Sequence, residues 1–97
     1  MSSHHDLIKR ITQELEKLDY ELDRFEHKVK DLASEARASA EKQINELKEK
    51  RKNMKGMVKD LEESAEKAAD ELSEGVENAW NSLKNSIKKA KDEIFRD

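Results

Sequence analysis

The side chains with the most chemical potential in this 97-residue chain are three histidines and several runs of charge. His4 follows Met1, Ser2 and Ser3. With Met1 removed, the free amine, two amides and the His4 imidazole have the spacing to wrap Cu(II) or Ni(II) in a square plane. The competing reading is a flexible start, residues 1–5, with no metal role, and we assign no metal site beyond that N-terminal candidate at His4. His27 sits one helical step from Arg24 and Asp31 on a polar face. It reads as a solvated histidine rather than a catalytic base. Glu62, Glu63, Glu66, Asp70 and Glu74 crowd one stretch. A calcium loop alternates oxygen ligands around a central glycine, and no such loop occurs here. There is no cysteine, so neither a thiolate site nor a disulfide is available. No glycine-rich phosphate loop, nucleophile–base pair or Glu/His spacing of a di-iron bundle appears. The expectation is a non-enzyme without catalytic residues or cofactor.

One charged group remains. Lys84, Lys88, Lys89 and Lys91 surround Ile87 and Ala90, close to Trp80 and Phe95. Such a basic amphipathic face can lie on an anionic membrane surface or touch phosphate backbones. It can equally oppose an acidic helix within the fold. The net charge of −3 gives no bulk attraction to nucleic acid, so nucleic acid is not an expected partner, whereas a membrane surface stays open.

The elements that must position these groups are helical. Charged residues make up 44% and hydrophobic residues 34%, with no proline and two glycines. Together with helical periodicity, that composition points to long helices or a coiled coil. The start lacks a signal-type apolar run, and no stretch approaches the ~20 apolar residues of a membrane span. A cytoplasmic location is the default expectation.

Apolar residues recur at steps of three and four through Ile8, Ile11, Leu15, Leu18, Leu22, Phe25, Val29 and Leu32, and again through Val76, Trp80, Leu83, Ile87, Ala90 and Ile94. Steps of three and four keep one helix face buried. The stripe is also a mirror image about Gly56: Val29 and Leu83 are equidistant from it, as are Phe25 and Ile87, and Ile44 and Ala68. Runs of consecutive four-residue steps, Leu32 to Ile44 and Ala68 to Trp80, fall at matching heights. They read as paired stutters in the heptad pattern. Arg51 is the polar member, expected opposite Leu61 with its stem on the seam.

This pattern predicts an all-α fold: an antiparallel helical hairpin, with helices over about 6–53 and 57–95, forming one domain over 6–97. The turn falls at Asn53–Met57, where Gly56 tolerates left-handed geometry. At ~1.5 Å per residue the hairpin is about 70 Å long. The alternative is one continuous helix crossing Gly56, at a cost of ~1 kcal/mol, and pairing with a second chain. Mirror pairing leaves Ile8, Ile11 and Leu15 without internal partners. That overhang calls for a second chain, a membrane surface or disorder. Of these a homo-oligomer, a four-helix bundle of two hairpins, is the expectation, with a partner coiled coil as another second chain.

The segment Ala69-Asp70-Glu71-Leu72-Ser73-Glu74-Gly75-Val76-Glu77-Asn78-Ala79-Trp80-Asn81-Ser82-Leu83-Lys84 resembles the tails of small bacterial coiled-coil proteins of a stress-response type, which repeat an Ala-Trp-x-x-Leu-Lys element. The eleven-residue spacing of Leu72, Leu83 and Ile94 is also similar to late-embryogenesis-abundant and apolipoprotein-like helices. An earlier Ala-Trp element is absent, with Ala68-Ala69 standing where it would fall. The resemblance implies stress association and no chemistry. The sequence thus predicts a self-associating structural or interaction protein, or a lipid-surface binder working through its second half.

Overall fold

The computed structural model describes residues 3–95. They form three helices: α1 (Ser3–Val29), α2 (Ser34–Glu63) and α3 (Glu66–Ile94). There is no strand among the described residues. Every pair of helices is in contact, and the rod measures 50 × 17 × 17 Å. Short links reverse the direction twice, so α1 and α3 run parallel and α2 runs antiparallel to both.

The turn at Gly56 is not there. Gly56 lies inside α2, and no described residue has positive φ. The reason is burial. Leu47, Met54, Val58 and Leu61 are all core residues at most 5% exposed. Their spacing continues through Gly56 without a break, so turning the chain there would expose Met54 and Val58. A helical glycine costs only ~1 kcal/mol, less than uncovering one large apolar side chain at roughly 1.5–3 kcal/mol. A Cβ built on Gly56 meets nothing within 4 Å. Gly56→Ala is therefore expected to stabilise the fold by up to ~1 kcal/mol. Thermal unfolding followed by circular dichroism checks this, and a lowered midpoint would contradict it.

The chain turns instead at 30–33 and at Ser64–Ala65. The first link overlaps the start of one run of four-residue steps and the second just precedes the other. These runs mark helix ends rather than stutters in long helices. Ala36, Ala65 and Ala68, read as stripe members, are exposed, and Ala69 is buried where Ala68 was expected. Leu7 is likewise core, whereas Ile8 packs only partly against it.

Both links are built without glycine. At the first, Asp31 and Leu32 donate to the Lys28 and Val29 carbonyls at 3.0 Å, the tightened pattern of a closing helix. The Arg37 side chain reaches back from α2 and donates to the carbonyls of Val29 (3.4 Å) and Lys30 (2.5 Å), satisfying acceptors that a helix end leaves open. At the second, the Ser64 hydroxyl donates to the Leu61 carbonyl at 2.7 Å. Ser64 and Ala65 are both extended, with φ/ψ of −78/152° and −73/157°.

Three helices also remove the overhang. Ile11 and Leu15 are buried within the single chain. Residues that the mirror register would have paired across Gly56 meet others: Phe25 packs on Phe95, with ring centroids 5.6 Å apart and a 52° tilt. Arg51 pairs with Asp19 of α1, so its charged end serves the α1–α2 seam rather than facing Leu61. Lys48 likewise pairs with Glu26. On the α2–α3 seam, Gln43 donates to Glu93, and Lys50 donates to Ser86 Oγ at 2.6 Å.

Candidate functional site

The stripe proposed as an interaction surface serves as the core. Ile11, Leu15, Leu18, Leu22, Phe25, Val29, Val76, Trp80, Leu83 and Ile94 are buried, while Ile8, Leu32 and Ile87 pack partly against them. Tyr20, 68% exposed, stands out as a large hydrophobic residue left on the surface.

The titratable candidates separate. His4 is half-buried, with one ring nitrogen 3.1 Å from Asp70 Oδ1. It borders an end pocket of about 420 Å³ with His5, Ile8, Leu61, Glu62 and Glu66. Met1 and Ser2 of the copper or nickel motif lie outside the described residues. Among the described residues no three histidine or carboxylate side chains converge as a metal would require. His27 is exposed and lies 3.8 Å from Asp23, one turn earlier; Arg24 is on the same helix, whereas Asp31 falls in the link after α1. Glu62, Glu63, Glu66, Asp70 and Glu74 all sit at exposed positions.

The lysines behave differently. Lys84, Lys88 and Lys91 line a groove of about 460 Å³ between α1 and α3, and Lys89 does not. Leu18, Trp80 and Ile87 supply its apolar floor, and Glu14, Lys17 and Glu21 its opposite wall. Trp80 is only 6% exposed, so its ring is mostly floor.

Ion pairs close the other half of the α1–α3 seam. Near the N-terminal end, Arg10 of α1 meets Glu77 of α3 at 3.5 Å, and His4 meets Asp70. Towards the other end Phe25 is level with Phe95. Between these contacts Glu14, Lys17 and Glu21 of α1 line the groove with Lys84, Lys88 and Lys91 of α3, with no ion pair across it among the described residues. The acids of α1 neutralise its own bases: Glu14 pairs with Lys17 and Glu21 with Arg24, each at 3.6 Å. The Arg24 guanidinium also lies 5.2 Å from the Phe95 ring centre. Among the described residues, no ion pair engages Lys84, Lys88 or Lys91.

No family model, curated protein or solved structure matches this chain. The site must therefore be read from its own geometry. Sequence reading found the lysine wall but missed the wall of Glu14, Lys17 and Glu21. Those residues flank Leu15, Leu18 and Leu22 on α1. They identify a groove only once α1 and α3 are known to run parallel, and a hairpin about Gly56 makes them antiparallel. Among the described residues no helix is long and apolar enough to cross a membrane.

Proposed function

We propose that this chain is a non-enzymatic structural and interaction protein that works as a single three-helix rod. The observation that carries the reading is the fate of the apolar stripe. It is consumed inside one chain, leaving a charged surface and a groove with an apolar floor and a basic wall that no ion pair engages among the described residues. Self-association was expected because Ile8, Ile11 and Leu15 lacked partners. With Ile11 and Leu15 buried in the monomer, that requirement lapses. A lipid-surface role asks for apolar side chains that protrude towards the bilayer. Here Trp80 is floor, and Tyr20 stands on α1 rather than among the lysines.

Sedimentation velocity over a wide concentration range, with and without anionic vesicles, tests the reading. The expected result is a monomer throughout, with Trp80 emission unmoved by vesicles. A concentration-dependent oligomer would support self-assembly instead. Vesicle binding with a blue-shifted Trp80 would support the lipid-surface alternative.

A further inference from the structure

The occupant of the α1–α3 groove follows from what its walls lack and what the rest of the molecule lacks. The floor of Leu18, Trp80 and Ile87 is recessed between two parallel helices. Leu18, 2% exposed, and Trp80, 6% exposed, form its base, and the partly buried Ile87 is the residue that an entering side chain meets first. The wall of Lys84, Lys88 and Lys91 carries three positive charges on an exposed helix edge without an ion-pair partner among the described residues. These lysines are spaced by four and three, so they form one continuous edge about a heptad long. A ligand that fits must bring an apolar ridge and, beside it, negative charge.

A second folded copy of this chain is a poor donor of that ridge, because its apolar stripe is spent in its own core. An anionic bilayer offers the charge but no ridge that reaches a recessed floor. An amphipathic helix supplies both, with apolar residues at i, i+3, i+4 and i+7 entering a groove and carboxylates along one flank. We propose that the α1–α3 groove docks an acidic amphipathic helix of a partner protein, its apolar ridge over Leu18, Trp80 and Ile87 and its carboxylates on Lys84, Lys88 and Lys91. This rests on the interaction-protein reading and names the chemistry of the partner. The Glu14 and Glu21 wall, already tied to Lys17 and Arg24, then sets the orientation. With those charges paired, the positive charge left over lies on α3, so the ligand's acids face that wall.

Two synthetic peptides sharing one leucine ridge, flanked by glutamates in one and by lysines in the other, test this on the full isotope-labelled chain. The glutamate peptide is expected to shift the amide resonances of Leu18, Glu21, Trp80, Lys84, Ile87 and Lys88. Its affinity should fall as salt rises, because exposed charge pairs are screened. The triple variant Lys84→Glu, Lys88→Glu, Lys91→Glu should weaken it by about tenfold or more. A control variant, Lys52→Glu, Lys55→Glu, Lys59→Glu on the exposed face of α2, should leave it nearly unchanged. All six positions are exposed, and circular dichroism verifies that both variants fold. Equal binding of the two peptides, shifts mapping away from the groove, or an equal loss in the α2 variant would overturn the proposal. So would preferential binding of the same lysines to phosphatidylglycerol vesicles, which would assign the wall to lipid. Absence of peptide binding by a chain that sediments as a monomer overturns the groove assignment and leaves the broader reading intact. An oligomer in sedimentation overturns the broader reading itself.

Discussion

Truncating Phe25 to alanine is expected to lower the thermal midpoint by roughly 15 to 30 °C. Phe25 is fully buried, and its ring tilts against Phe95 at 5.6 Å. That contact closes the α1–α3 seam at the end where, among the described residues, no ion pair joins the two helices. Large aromatic truncations in such sites cost about 3–5 kcal/mol. The whole stability of a small domain is about 5–15 kcal/mol, so a large share is lost at one position. Tyr20→Ala is the matched control. Tyr20 is 68% exposed, and its loss should change stability by no more than about 0.5 kcal/mol. Circular dichroism melts of both variants measure the contrast. Equal small shifts would mean that Phe25 is not core.

Zero-length carbodiimide coupling should join Lys48 to Glu26 within one chain. Coupling needs an amine and a carboxylate in contact, and these two form an ion pair across the α1–α2 seam. A hairpin about Gly56 would instead place Lys48 beside Glu62, Glu63 and Glu66. Digestion and mass spectrometry of the monomer therefore separate the two folds without any substitution. A Lys48 link to the 62–66 stretch would reject the three-helix topology. Cysteines at positions 29 and 83, a facing pair in the hairpin, give the complementary result and should fail to form a disulfide. Arg10 is level with Glu77 and Phe25 with Phe95, so position 83 lies level with the middle of α1. That is roughly 20 Å from Val29 along the axis, far beyond the ~7 Å that a disulfide bridges between Cα atoms.

The helical character was legible because it rests on local spacing. Leu18, Leu22, Phe25 and Val29 repeat at four and three, and all are core. The topology was misread because such a stripe looks nearly the same in both directions. A heptad pattern reversed is still steps of three and four, so mirror symmetry about Gly56 came at little cost in sequence and carried little topological information. The better signal was the heptad running unbroken from Leu47 to Leu61. Another was the pair of alanine- and serine-rich stretches, Ala33–Ala36 and Ser64–Ala69, where the stripe thins. Neither contains glycine or proline. There, burial of a third helix decides the turn rather than intrinsic turn chemistry, and burial is a property of the whole chain. The groove inherits the same limit. Lys84, Lys88 and Lys91 stood out along the sequence, but the wall of Glu14, Lys17 and Glu21 depends on the parallel pairing of α1 with α3.

An odd number of helices has a mechanical consequence. Ser3 opens α1 at one pole of the 50 Å rod, and Phe95 follows α3 at the other. Tension applied through these two ends runs along the helix axes. It would slide α1 and α3 past α2 and strain the whole interlocked core at once, where a two-helix hairpin pulled from its open end would peel apart one turn at a time. Resistance to such a pull is set by the unfolding barrier rather than by equilibrium stability. The second reversal at Ser64–Ala65 thus turns a structure that would unzip into one that carries load in shear.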